Sequence, residues 1–164
     1  MIINIILVIL AMVVIATIVN ICEGKLDKER SKFSFKEAMD LIDLPVITFQ
    51  AGNNKLSFLL DTGADESHIT SEAAPLLNTV PFDANISNNI TVAKNVSVSK
   101  GYNTTLTYKG HNYDVTLYES EEMSGAFAQL KSMYGIQIHG ILGTSFFQKY
   151  RYVLDFAELT AYQK

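Results

Sequence analysis

The first 22 residues of the chain, MIINIILVILAMVVIATIVNIC, contain no charged side chain. An apolar run of this length can form a helix that crosses the roughly 30 Å hydrocarbon layer of a membrane. The run is longer than the apolar part of an ordinary signal peptide, no Lys or Arg precedes it, and no Ala-x-Ala cleavage site follows it. We therefore predict a transmembrane helix or signal anchor over residues 1–22, with a cleaved signal peptide as the alternative.

A polar segment, EGKLDKERSK, separates this apolar run from the rest of the chain. The next ten residues, FSFKEAMDLI, suit either a short helix or an irregular piece of chain. The pattern therefore predicts a polar tether over residues 23–43 and a globular domain over residues 44–164.

Basic residues just after the apolar run indicate an orientation in the membrane. They are Lys25, Lys28, Arg30 and Lys32. The positive-inside rule counts Lys and Arg near a span and places them in the cytoplasm. On that rule, the protein is a single-pass membrane protein whose globular domain lies on the cytoplasmic side.

Beyond residue 44, short runs of alternating apolar and polar residues predict mainly β-strands. PVITFQ and KLSFLLD flank a turn sequence, AGNN, and so predict a hairpin. Residues 86–119 form a long β-type region with turn signals at Lys100-Gly101 and Lys109-Gly110. SEAAPLLN, SGAFAQLKSMYG and SFFQKYR predict short helices, and YVLDFAELTAY predicts a closing hairpin. The pattern as a whole predicts an all-β domain with small helical pieces.

Composition narrows the chemistry that this domain can perform. Hydrophobic residues make up 48% of the 164 residues and charged residues 18%, which suits a folded protein rather than a disordered one. The formal net charge of -4 argues against nucleic acid as a partner, because phosphate binding needs a basic face. The single cysteine, Cys22, lies in the apolar run, so neither an internal disulfide nor a cysteine nucleophile is expected.

Metal and phosphate chemistry also lack a signature in the sequence. The three histidines are scattered and show no zinc-binding spacing. The residues around the glycine of KGYNTT do not match the pattern of a phosphate-binding loop. We therefore expect no metal site.

With these types of site excluded, a carboxylate at the end of a buried strand is the remaining candidate for a functional group. In FLLDTGADESHIT, Asp61 follows three apolar residues and precedes Thr62-Gly63-Ala64. The small residues let the backbone turn tightly, so that amides of the loop can hydrogen-bond the carboxylate. A strand that ends in an ordinary Asx turn would show the same three letters, Asp-Thr-Gly. The short motif alone therefore leaves both interpretations open.

The wider pattern resembles the retropepsins, the single-domain aspartic proteases of retroviral type. Its specific parts are LLDTGAD and, about eighty residues later, GILG, followed by a short helix and a final strand pair. The likeness covers residues 44–162. It implies a closed, barrel-like all-β fold with one or two short helices. It also implies an aspartic endopeptidase that requires no metal or organic cofactor.

The resemblance assigns roles to the residues of the Asp-Thr-Gly loop. It implies that Asp61 is the catalytic residue and that Thr62, Gly63 and Ala64 complete the active-site loop. The hydroxyl of Thr62 would join the loops of two subunits. Gly63 and Asp65 would contact the main chain of the substrate.

The resemblance also indicates which residues support this loop and which residues cover the substrate. Ile141, Leu142 and Gly143 would pack behind the loop as structural support. Family members cover the substrate with a β-hairpin, the flap, whose best match here is VSVSKGYNTTLTY with its tip at KGY. Gly101 and Tyr102 would then bind the substrate.

One Asp-Thr-Gly supplies half of a catalytic pair. Hydrolysis of an amide by water needs one group that takes a proton and another that gives one. A second copy of the chain would supply the other Asp61 across a two-fold axis. We therefore expect a homodimer that cleaves peptide or protein substrates. The alternative is a catalytically inactive, membrane-anchored binding module of the same fold.

Overall fold

The computed structural model describes residues 2–88 and 95–164. Its helices are α1 (Ile2–Arg30), α2 (Lys36–Ile42), α3 (Glu122–Tyr134) and α4 (Thr144–Tyr150), with a 3-10 helix at Ala74–Leu77. Its strands are β1 (Phe33–Ser34), β2 (Val46–Ala51), β3 (Asn54–Leu60), β4 (His68–Thr70), β5 (Phe82–Asn88), β6 (Asn95–Tyr108), β7 (His111–Ser120), β8 (Gly140–Leu142), β9 (Tyr152–Asp155) and β10 (Thr160–Gln163). The domain has more helix than the one or two short helices that the resemblance implies.

Six strands close into a barrel, in the order β2-β3-β8-β4-β7-β6, and β6 pairs back onto β2 at Gln50 and Thr107. β5 lies outside the closed ring as a further strand beside β6. β3 pairs with β8 in parallel, and so does β4 with β7. The β2–β3 hairpin, the β6–β7 turn at Lys109-Gly110 and the β9–β10 hairpin are confirmed. The closed, mostly β architecture confirms the predicted fold class.

Strand alternation fills this barrel with large apolar side chains. Phe49, Leu56, Phe58, Leu106 and Leu117 are almost completely buried inside it. Each side chain of this size contributes about 1.5–3 kcal/mol when it leaves water. The barrel is therefore a packed core, and its functional groups lie on its rim and outer face.

The domain begins earlier than the sequence predicts. α1 continues through Arg30, and β1 pairs with β10 through Phe33 and Ser34. α2 then follows at once, and its Ile42 is buried. Residues 23–43 are therefore not a tether, because their first part extends α1 and the remainder belongs to the folded domain.

Aromatic packing explains why the chain after α1 folds into the domain. The ring of Phe33 is fully buried and lies 4.5 Å from the ring of Tyr152 and 5.3 Å from that of Phe49, between centroids. Phe35 is buried as well. These partners lie far along the sequence, so a local pattern of polar residues does not reveal them.

The predicted flap tip lies inside a strand. Gly101 of β6 pairs with Phe82 of β5 on one side and with Tyr118 of β7 on the other. A Cβ at Gly101 would overlap the ring of Phe82, so the glycine permits close packing and does not form a turn. The turn predicted at Lys100-Gly101 is wrong. β5 and β6 form a hairpin whose connection, residues 89–94, lies outside the described residues.

The segment SEAAPLLN, for which a short helix was predicted, forms a turn and the 3-10 helix rather than an α-helix. Pro75 lies in its first turn, and no side chain caps it. Proline removes a backbone donor and limits helix extension, which suits a short 3-10 turn. The two other predicted short helices are confirmed as α3 and α4, and the segment FSFKEAMDLI, for which the sequence left a helix and an irregular piece open, contains α2.

Among the described residues, α1 is the one helix long and apolar enough to cross a membrane, over Ile9–Leu26. None of these residues is buried against the domain. A signal sequence near an N-terminus has the same length and composition.

Candidate active site

Asp61 is the first residue after β3. Its backbone N–H donates to the carbonyl of Leu142 at 3.0 Å, which extends the pairing of β3 with β8 by one residue. Leu60 points into the core. Because side chains alternate along a strand, Asp61 points to the outer face, and it is half-buried there.

The loop after Asp61 turns back onto the carboxylate. The N–H of Gly63 donates to Asp61 Oδ1 at 2.8 Å, as expected from the small residues of the motif. A Cβ at Gly63 would lie 3.2 Å from the same oxygen, so a larger residue would crowd the carboxylate. Thr62 and Gly63 are both exposed. The loop thus presents a fixed carboxylate beside an open backbone surface.

The start of α4 holds the next part of this loop. The N–H groups of Thr144 and Ser145 donate to the carbonyls of Ala64 and Asp65 at 2.8 and 2.9 Å. The hydroxyl of Thr144 lies 3.1 Å from both carbonyl oxygens. The first N–H groups of a helix lack partners within it, and here the loop provides them. Sequence analysis missed Thr144 and Ser145, although a polar pair between Gly143 and a helix is a recognisable signal.

Gly143 lies directly behind the loop. Its N–H donates to the buried hydroxyl of Ser67 at 3.0 Å. A Cβ at Gly143 would overlap the carbonyl of Glu66 and lie 2.8 Å from that of Ala64. Ile141 and Leu142, the residues before it, are buried. The turn after β8 and the Asp61 loop are therefore in contact along their backbones.

Substitution of Gly143 by Ala is expected to lower the free energy of unfolding by about 1–3 kcal/mol, the usual cost of overpacking. The added methyl group has no space because backbone carbonyls surround it. Urea unfolding of the full-length protein in detergent measures the change. Gly125→Ala is the matched control, since Gly125 lies in α3 with no atom within 4 Å of an added Cβ. Equal stability of Gly143→Ala and wild type would contradict the close packing.

Gly101 and Tyr102, predicted to bind substrate, are both buried in the sheet. The Tyr102 hydroxyl donates to Glu119 Oε2 at 2.7 Å. Burial, together with that carboxylate, raises the pKa of Tyr102 to about 12. The assignment of these two residues to the substrate depended on a hairpin tip that lies elsewhere. Asp65, by contrast, is exposed beside Asp61.

The outer face beside Asp61 carries residues that sequence analysis did not single out. His68 of β4 lies opposite Ile141 of β8 and opposite Tyr118 of β7. Burial lowers the pKa of His68, while the nearby carboxylate of Glu66 acts in the opposite direction. The neutral imidazole is therefore favoured. Strand register, which a local pattern does not reveal, brings these side chains together.

Within the described residues, no group of three or more His, Cys, Asp or Glu side chains could hold a metal ion.

Comparison with known proteins agrees with this geometry. A search of curated proteins gave no match. The model of the retroviral aspartyl protease family matches residues 42–155, a segment that contains both the Asp61 loop and the Gly143 turn. This segment is more than half of the 164 residues. The chain therefore belongs to the retroviral aspartyl protease family.

Proposed function

We propose that the protein is an aspartic endopeptidase whose active site forms between two copies of the chain. Membership of the family supports aspartic protease function in general. The observation that carries the finer proposal is the Asp61 carboxylate, which the Gly63 amide holds at the end of β3 beside an exposed loop.

Two Asp61 carboxylates would share one proton across a two-fold axis, because like charges in contact resist ionising together. The ionised carboxylate takes a proton from a bound water as that water attacks the scissile carbonyl carbon. The protonated one gives its proton to the carbonyl oxygen. Collapse of the tetrahedral intermediate then returns a proton to the leaving amine and breaks the C–N bond.

The remaining residues of the loop orient this pair and the substrate. Thr62 is exposed, as a residue must be if its hydroxyl joins the loop of a second subunit. Gly63 and Asp65 are exposed beside the carboxylate and would hold the substrate main chain. Leu142 and Gly143 support the loop from behind through the backbone contacts described above.

Cleavage of a random peptide library by the full-length protein in detergent tests this function. Products identified by mass spectrometry would show internal peptide bonds hydrolysed. An inactive protein that still binds peptides would instead support the binding-module alternative.

We also propose that α1 anchors the protein in a membrane, with the protease domain on the cytoplasmic side. Only Ser31 and Lys32 separate α1 from β1. The Ser31 carbonyl is buried and accepts a hydrogen bond from the Tyr152 hydroxyl at 2.6 Å. The anchor therefore joins the folded domain through a connection of two residues.

The protein is expected to stay in the membrane pellet after a carbonate wash, because α1 exposes an apolar surface over Ile9–Leu26. Immunoblotting of pellet and supernatant, with sequencing of the N-terminus, measures this. A soluble form that begins near Glu23 would contradict the anchor. Repeating the experiment with Asp61→Asn separates signal-peptide cleavage, which would persist, from self-release, which would stop.

A further inference from the structure

An open groove lies where α1 joins the folded domain. It is lined by Arg151, Tyr152, Val153 and Lys164 and has a volume of about 630 Å³, which is within the range of small-ligand sites. We call it the junction groove. The hydroxyl of Tyr152 donates to the carbonyl of Ser31 at 2.6 Å. Because Ser31 directly follows α1, the junction groove lies beside the end of that helix.

Two cationic residues border the junction groove, and backbone contacts hold them next to each other. Arg151 ends α4, and its carbonyl accepts a hydrogen bond from the N–H of Lys164 at 3.1 Å. β9 and β10 pair as far as Tyr152 and Gln163, which joins the two chain segments. The side chains of Arg151 and Lys164 are exposed. The groove therefore presents two positive charges to a molecule that lies in it.

Neither of these cations has a carboxylate partner among the described residues. Over residues 2–88 and 95–164, the one ion pair lies within α2. The acidic residues of the β9–β10 hairpin, Asp155 and Glu158, lie at its other end, where Asp155 Oδ1 accepts the N–H of Glu158. An anion in the junction groove would therefore meet positive charge that no such pair offsets.

The folded domain supplies the excess of positive charge at the junction. In α1, residues 23–30 contain three acidic and three basic side chains, which give no net charge. Lys32 lies between α1 and β1. The Nζ of Lys109 lies over the ring of Tyr108, which is 4.8 Å from the ring of Phe33 in β1. Basic residues from distant parts of the sequence thus surround the entry of α1 into the domain.

The junction lies at the depth of lipid headgroups when α1 spans a membrane. The apolar window of α1 ends at Leu26. Four further helical residues, at a rise of about 1.5 Å each, place Arg30 about 6 Å beyond it. The headgroup layer on one side of a bilayer is roughly 5–7 Å thick. Ser31 and the groove beside it therefore lie at the outer edge of that layer.

We propose that the junction groove binds the headgroup of an anionic phospholipid. This inference rests on the proposed membrane anchor. The anionic oxygens of the headgroup lie between Arg151 and Lys164, both of which donate charge-assisted hydrogen bonds to such oxygens. Anionic lipids give the cytoplasmic leaflet its negative surface potential, and that is the side on which we place the domain.

A bound headgroup also sets the height of the Asp61 loop above the bilayer. Arg151 ends α4, and Thr144 at the start of this helix donates to the carbonyl of Ala64 in the loop. The seven residues of α4 span about 10 Å. A headgroup held at Arg151 therefore keeps the loop at one distance from the membrane surface.

Native mass spectrometry of the full-length protein, released from vesicles of equal parts phosphatidylcholine and phosphatidylserine, tests the site. We expect wild type to retain phosphatidylserine in preference to phosphatidylcholine. Arg151→Gln combined with Lys164→Gln should lower that ratio about tenfold or more, because each basic residue at an anionic surface changes binding roughly fivefold. Lys100→Gln combined with Lys131→Gln is the matched control. Both lysines are exposed and neither lines the groove, so the ratio should stay unchanged.

Equal retention of the two lipids by wild type would overturn the inference. So would an unchanged ratio in the Arg151 and Lys164 double variant, because the lipid would then bind to the basic residues of α1. Arg151→Lys keeps the charge and should keep most of the preference. If the double variant fails to fold, Lys164→Gln alone should still lower the ratio about fivefold, since this exposed side chain contributes nothing to the core.

The carbonate wash described above separates this inference from the anchor on which it rests. Protein that stays in the pellet but shows no lipid preference would overturn the headgroup site alone. Protein that appears in the supernatant would overturn both proposals. Displacement of phosphatidylserine by millimolar inorganic phosphate would mean that the groove is a site for a free anion, which would overturn the assignment to a lipid.

Discussion

Replacement of Asp61 by Asn is expected to lower kcat/KM for peptide cleavage by roughly 10²- to 10⁴-fold, the range that general acid–base groups contribute. Asn is nearly the same shape and can still accept the hydrogen bond from Gly63 that Asp61 accepts at 2.8 Å. It cannot take a proton from water. The loss should therefore appear in the rate and not in the fold.

Initial rates on one peptide, measured beside circular dichroism and thermal unfolding, check this expectation. Asp43→Asn is the matched control, since Asp43 is exposed and ends α2 in a left-handed conformation that Asn also adopts. It removes the same charge from a residue that is not part of the Asp61 loop. Activity of Asp61→Asn equal to that of Asp43→Asn would rule out an aspartic protease mechanism at this residue.

The Asp61 loop is the part of the candidate site that sequence predicts best. Asp61, Gly63 and Gly143 act through backbone turns and close approaches, which depend on residue type within a few positions. The structure accordingly shows the Gly63 amide on the carboxylate and Gly143 against the loop. Local chemistry is enough to predict such contacts.

The start of the domain depends on distant contacts, and sequence predicts it poorly. Phe33 and Phe35 follow a charged segment and resemble the beginning of a linker. Phe33 is buried against Phe49 and Tyr152, and the buried Phe35 packs against Phe156. A pattern read along the chain contains no information about these partners.

Gly101 shows how one residue type can support two interpretations. Lys100-Gly101 is a typical turn dipeptide, and the same letters in Lys109-Gly110 do form a turn, with a positive φ at both residues. At Gly101 the side chain is absent because the ring of Phe82 occupies its space. Only the pairing of β5 with β6 distinguishes the two cases.

The second large effect is expected from dilution. If each chain supplies half of the active site, the specific activity of a soluble segment, residues 23–164, should fall about tenfold for each tenfold dilution below its dissociation constant. A bilayer confines two anchored chains to a thin layer and raises their effective concentration. Full-length protein in vesicles should therefore stay active at bulk concentrations at which the soluble segment shows no activity.

Mixing wild-type and Asp61→Asn chains tests the shared site directly. A dimer that contains one Asn has one carboxylate and lacks half of the acid–base pair. With random pairing across a two-fold axis, a ninefold excess of Asp61→Asn chains should lower the activity per wild-type chain about tenfold. The same excess of Asp43→Asn chains should not lower it, because those dimers keep both Asp61 residues. Activity that stays proportional to wild-type chains, with sedimentation showing monomers, would mean that a single chain holds the complete site.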